Sequence, residues 1–260
     1  MTNLLPHEIS GKKTSNQILV FLHGWPDTTA LWDKTVAAFE KDYYILNISY
    51  PNFSPKETKA KGEDFEVIAD RIKLTIDHVN DTKRKVVLVS HDWGAIFGYY
   101  VDQRYPRYIS EMISLDVGAK FIASKPLIVF YQFVLIIGFI IGGSIGRFLT
   151  HFIMKFFKYW PAWANRTDSS WNYPYYYFWK KILLAGGNSA KAILPGYEPS
   201  CPVAFVWGTK KPVQFFSKAW TDLLVKNPKN EVHAVNSGHW IQKEQPNFVI
   251  DLILRRITPK

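Results

Sequence analysis

Residues 86 to 97, Val-Val-Leu-Val-Ser-His-Asp-Trp-Gly-Ala-Ile-Phe, constrain this chain more than any other stretch. Val86 to Val89 are apolar and mostly β-branched, the pattern of a parallel strand buried on both faces. Ala95 to Val101 form an apolar run that predicts a helix. Between them, Ser90-His91-Asp92-Trp93-Gly94 must turn the chain within a few residues. So tight a turn needs small residues around its apex, and Ser90 and Gly94 stand two positions either side of Asp92. The apex side chain is then lifted above the C-terminal edge of the sheet. An Asp that merely caps the helix fits the same stretch, so the other motifs must decide.

Gln17 to Leu22 reads as a strand, ended by His23-Gly24-Trp25-Pro26-Asp27. Thr28 to Glu40 carries apolar residues at helical spacing, and Tyr43 to Ile48 is a second strand. Phe65, Ile68, Ala69, Ile72, Ile76 and Val79 predict an amphipathic helix over 65–79. After the central turn, a helix over 95–104 leads to a strand over Ile109 to Leu115, ending in Asp116-Val117-Gly118. Asp116 follows Asp92 by 24 residues, one strand-helix-strand step. Such a step returns the chain to the same edge, so both carboxylates belong on one rim.

From Ala119 to about Pro195 this alternation stops. Pro126 to Gly146 holds no charged residue over 21 positions. That length reaches the threshold for a membrane span, but Gly138, Gly142, Gly143 and Ser144 interrupt it. A hydrophobic helix, with contact to a membrane face left open, is preferred over a span. Aromatic residues, 16% of the chain, concentrate between Phe121 and Trp179. Strands and helices then resume: Pro202 to Trp207, a helix over Ser217 to Val225, a strand over Glu231 to Val235, and Asn236-Ser237-Gly238-His239-Trp240 before Gln245-Pro246.

Three of these motifs resemble the α/β-hydrolase superfamily, and within it the branch with an aspartate nucleophile, the epoxide hydrolases and haloalkane dehalogenases. They are Ser-His-Asp-Trp-Gly-Ala at the strand-turn-helix, His-Gly-Trp-Pro after the first parallel strand, and Gly-His-Trp-Ile-Gln-Lys-Glu-Gln-Pro after the last. The resemblance implies an α/β fold with a mostly parallel central sheet flanked by helices. It implies a core over 1–118 and 196–260, interrupted by a helical lid over 119–195.

The resemblance also assigns roles. Asp92 is the nucleophile that forms an alkyl-enzyme ester, and His239 is the base that activates water. Backbone N–H groups of Trp25 and Trp93 form the oxyanion hole. Many members place the acid that orients the histidine after the strand equivalent to Pro202–Trp207. Here that loop reads Gly208-Thr209-Lys210-Lys211-Pro212, with no carboxylate before Asp222. Asp116 occupies the other position used in the superfamily and is taken as the acid. His23 and His91 are given structural roles. Lid tyrosines, with Tyr131, Tyr173, Tyr175 and Tyr176 singled out and Tyr159 and Tyr177 nearby, would donate hydrogen bonds to an opening epoxide. In a dehalogenase, Trp93 and Trp25 would hold the halide instead.

The expected function is hydrolysis of a hydrophobic small molecule by water, an epoxide first and a haloalkane second, with no metal and no cofactor. A cofactor-free oxygenase of the coelenterazine-luciferase type and a non-catalytic membrane-associated scaffold are the readings from other classes. The net charge is +10, but Lys and Arg are scattered and no nucleic-acid motif accompanies them, so no nucleic-acid partner is expected. Cys201 is the only cysteine, and the first eleven residues lack a basic head followed by an apolar run. A reducing, cytoplasmic setting is expected, with peripheral membrane contact through the lid left open.

Overall fold

A computed structural model describes residues 3–120 and 126–258. Its strands are β1 (His7–Gly11), β2 (Gln17–Leu22), β3 (Tyr44–Ile48), β4 (Lys85–His91), β5 (Glu111–Leu115), β6 (Val203–Gly208) and β7 (Glu231–Val235). They form one sheet in the order β1-β3-β2-β4-β5-β6-β7. β1 runs antiparallel to β3, and all other neighbours are parallel.

The sheet is covered on both sides, which is why its inner strands are continuous apolar runs. One face packs α1 (Asp33–Phe39) and, from the chain's end, a helix over Pro246–Ile257 against Leu19, Phe21, Val87, Val89 and Ile113. The other packs α2 (Phe65–Val79), α3 (Trp93–Arg104) and a later helix over Lys218–Leu224 against Ile18, Val20, Leu22, Leu88 and Phe205. α2 has the bounds its spacing predicts, and the Asp64 side chain caps it by accepting from the Phe65 N–H. α3 shows no amphipathic stripe because every residue from Trp93 to Asp102 is buried.

Only β1 goes unannounced by hydrophobic pattern. It is an edge strand held through its backbone ladder to β3, and even Ile9 is about half exposed.

Between β5 and β6 the chain leaves the sheet and forms α4 (Pro126–Ile141), α5 (Gly143–Phe156), α6 (Tyr173–Leu184) and the single turn α7 (Ser189–Ala192). The remaining helices complete the numbering as α8 (Lys218–Leu224), α9 (Ile241–Glu244) and α10 (Pro246–Ile257). The uncharged stretch 126–146 therefore covers α4 and the start of α5, with the chain reversed at Gly142 and Gly143, whose φ angles of 68° and 55° suit glycine. Their crossing is close: a Cβ on Gly146 would lie 2.3 Å from the carbonyl oxygen of Gly138. Among the described residues no helix is long and apolar enough to cross a membrane. Phe121, where the aromatic-rich stretch begins, lies outside the described residues.

Candidate active site

β4 lies in the middle of the sheet, between β2 and β5, so the residue after it emerges at the centre of the rim. Asp92 takes φ 56° and ψ −124° there, a conformation costly for a non-glycine residue. The surrounding glycines allow it. A Cβ on Gly24 would lie 2.3 Å from Asp92 Oδ1, and one on Gly94 would lie 2.4 Å from the Leu22 carbonyl oxygen.

The Asp92 carboxylate is held from two sides. The backbone N–H of Trp25 donates to Oδ1 at 2.9 Å, beside the cis Trp25–Pro26 peptide. His239 Nε2 lies 3.5 Å from Oδ2. Burial pushes the Asp92 carboxyl up, but His239, His91 and the Trp93 backbone N–H together bring it below its ordinary value.

Asp116 also has a positive φ, 74°, and is wholly buried. Its Oδ2 accepts from His239 Nδ1 and, at 2.5 Å, from Lys211 Nζ; its Oδ1 accepts from the Gly208 N–H at 3.2 Å. Burial raises the Asp116 carboxyl, but Lys211 and His239 outweigh it and the net shift is downward. Burial also depresses His239. There the charge and hydrogen bond of Asp116, then those of Asp92, reverse the effect and lift it to about 9.

The other two motif histidines are inward-facing and neutral. His23 is buried between Tyr50 and Phe53, bonds the Gly24 carbonyl and Ser49 Oγ, and is lowered to about 4 by burial. His91 Nε2 donates to the backbone carbonyl of His239 at 3.0 Å, and burial lowers this histidine to about 3.

A cavity of about 300 Å³ opens onto Asp92 and His239, and a smaller one of about 50 Å³ continues past Asp92 toward Phe178. Ile128 and Tyr131 of α4 and Tyr175 of α6 line both. Tyr131 and Tyr175 feel the charge of Asp92, and burial drives both phenols upward, so both stay protonated. Tyr173 and Tyr176 do not join them. Tyr173 is buried against Gly62 and Phe53, and Tyr176 packs on Phe139, because successive residues of α6 face different directions. Tyr159 lines the larger cavity, but its hydroxyl donates to Asp27 and its ring stacks on Trp240 at 3.6 Å. Tyr177 packs edge-on against Tyr173 and Tyr176.

Of the two indoles considered as halide donors, Trp25 is already engaged. Trp25 Nε1 donates to Asn172 Oδ1 at 2.9 Å, and the Trp93 ring meets the Tyr175 ring edge-on at 5.0 Å.

Two groups at the site have no role in the sequence reading. Lys211 is one, although its loop stands out for lacking a carboxylate. Asp27 is the other: it ends the first motif, is wholly buried, and accepts from Trp240 Nε1 at 3.0 Å as well as from Tyr159. Burial raises Asp27 to about 6.

A family model described as the alpha/beta hydrolase fold matches residues 17–246. Epoxide hydrolase 4 of Mus musculus is 22% identical over 270 residues, covering 95% of this chain and 74% of its own length. Epoxide hydrolase 3 of Mus musculus is 27% identical over 112 residues, 41% of this chain; the match spans only 29% of that relative. Among solved structures, the epoxide hydrolase of Bacillus megaterium with an inhibitor superposes with a TM-score of 0.70 at 20% identity, covering 97% of this chain and 96% of that one. At that identity the likeness is one of fold, and esterases occur among the matches as well.

Proposed function

This chain belongs to the α/β-hydrolase fold family, and from that premise we propose that it hydrolyses epoxides carried on apolar molecules, through an ester formed on Asp92. It is an α/β hydrolase related at low identity to epoxide hydrolases. The observation that carries the finer reading is the pairing across the cavity. Asp92 lies on its floor, and two protonated phenols, Tyr131 and Tyr175, line the same space from above. The segment 119–195 serves as the lid that supplies them.

Asp92 Oδ2 attacks a ring carbon, because Oδ1 is held by the Trp25 N–H. The ring C–O bond breaks, and its electron pair goes to the epoxide oxygen, which takes up a proton with the phenols as donors. His239 Nε2 then removes a proton from water, and the hydroxide adds to the ester carbonyl. Oδ1 becomes the oxyanion, beside the backbone N–H groups of Trp25 and Trp93. Collapse breaks the ester C–O bond, and the leaving oxygen takes the proton of the added hydroxyl. The imidazolium returns its proton to the phenolate, so that the diol leaves and carboxylate, histidine and phenol are restored.

The electrostatics suit this order. In the resting site His239 stands at about 9, partly because Asp92 is charged. Esterification removes that charge, so the histidine becomes easier to deprotonate when a base is required. The Trp25 indole, already donating to Asn172, speaks against halide binding.

Mass spectrometry of a His239→Ala variant incubated with epoxides and haloalkanes tests the proposal. The expected product is protein heavier by the mass of the epoxide, with the adduct mapped to Asp92. An adduct formed only from haloalkanes would transfer the site to dehalogenation. An active wild type with no adduct from either would remove the covalent step.

A further inference from the structure

We propose that the outer face of the α4–α5 hairpin is a docking surface for an anionic lipid bilayer. This goes beyond the hydrolytic reading and does not depend on it.

The two helices are apolar on both sides. Their inner side is buried and includes Ile128, Tyr131 and Leu135 on α4 and Ile153 and Met154 on α5. On the outer side of α4, Phe130, Phe133, Ile137, Ile140 and Ile141 recur at spacings of three and four and are exposed. On α5, Ile145, Phe148, Phe152 and Phe156 do the same. Ile140, Ile145 and Phe148 are 67%, 60% and 68% exposed, and they cluster around the Gly142–Gly143 turn. Two stripes of this kind on neighbouring helices exceed the scattered apolar residues normal on a protein surface, and they mark an interaction site.

Charge identifies the occupant. The segment 119–195 contains nine Lys and Arg against a single acid, Asp168, so it carries +8 of the chain's +10. Arg147, Lys155 and Lys158 are exposed beside the α5 stripe. A second copy docked on the same face would bring two such surfaces together and repel. A bilayer containing acidic headgroups is complementary to both features, the aliphatic and aromatic stripes entering the interface and the cations meeting the headgroups. Neither helix can span the bilayer, so the contact is peripheral. The inner side of the same hairpin lines the cavity above Asp92, which brings that cavity next to the lipid.

Vesicle flotation tests this without any measurement of activity. The full chain is mixed with vesicles of phosphatidylcholine, alone or with phosphatidylserine. We expect the protein to float with the mixed vesicles at least tenfold more than with phosphatidylcholine alone, and the difference to shrink in high salt. Ile145→Asp with Phe148→Asp should abolish flotation while leaving the thermal melting point unchanged, since both side chains are exposed. Lys155→Glu with Lys158→Glu should remove the preference for phosphatidylserine. Wild-type protein left at the bottom of both gradients would overturn the proposal. So would equal flotation of the aspartate variant, or a wild-type dimer in gel filtration that the aspartate variant dissolves without any vesicle binding.

Discussion

Lys211 and His239 share a single acceptor, Oδ2 of Asp116. The carboxylate is fully buried and the lysine side chain nearly so, which makes both charges felt strongly across the trio. Asp116 raises His239, whereas a neighbouring cation opposes formation of the imidazolium.

Lys211→Met should therefore raise His239 above its position near 9, because the whole charge of Asp116 then acts on the histidine. In the proposed mechanism hydrolysis of the ester needs neutral His239, so that step should slow at pH 7 by about tenfold per unit of upward shift. Asp116→Asn should act in the opposite direction on the histidine: burial would then be opposed mainly by Asp92, and His239 should fall. Turnover should drop by about a hundred- to ten-thousandfold, as the histidine loses its orienting partner. The pH dependence of single-turnover ester hydrolysis in both variants checks the signs; shifts in the same direction would refute the assignment.

Tyr131→Phe and Tyr175→Phe should each lower turnover of an epoxide by about ten- to a thousandfold, since each removes a donor that the proposed mechanism assigns to the opening oxygen. Tyr173→Phe and Tyr176→Phe should leave it within about twofold. The Tyr173 hydroxyl is buried without a hydrogen-bond partner, so its removal should also hold or raise the melting point. Steady-state kinetics on the four variants, with thermal melts, separate the two pairs.

Stability should decline on the alkaline side. His239 is raised in the folded chain to about 9 from an ordinary value of 6.5. A raised histidine contributes stability that is complete below pH 6.5 and is lost as pH climbs through 9. Asp27, raised by burial to about 6, has the same sign, its contribution fading as pH rises through 6. Urea unfolding between pH 6.5 and 9.5 should show a loss on the order of a few kcal/mol. His239→Gln should flatten that slope, and an unchanged slope would remove His239 as its source.

Gly94→Ala should destabilise the fold as a whole. The new methyl carbon would lie 2.4 Å from the Leu22 backbone oxygen, at the junction of β2 and α3 where neither element can yield cheaply. A cost of about 1–3 kcal/mol or more is expected, read as a lower melting temperature. Gly24→Ala meets the Asp92 side chain instead, so its larger effect should fall on turnover rather than on melting.

Much of the sheet was legible in the sequence because burial on both faces writes itself as unbroken apolar runs, as in Ile18 to Leu22 and Val86 to Val89. β1 was not, since its hold on β3 is a backbone ladder that leaves little trace in side-chain type. The uncharged run 126–146 was visible, but its division into a hairpin depended on the φ angles at Gly142 and Gly143. The absence of a carboxylate after β6 was visible too, whereas the return of Lys211 to Asp116 was not.

Residue spacing along the chain suffices to tell which side chains arrive at the C-terminal rim, because the strand-helix-strand steps fix where Asp92, Asp116 and His239 leave their strands. Tertiary structure alone decided which tyrosines face them. α6 offers hydroxyls at positions 173, 175, 176 and 177, and only the packing of that helix on Trp25, Trp93 and α4 turns Tyr175 inward while Tyr173 and Tyr176 point elsewhere. Position along a strand is local and can be counted in residues. The rotation of a helix about its own axis is set by what it packs against, and those partners lie far away in the chain.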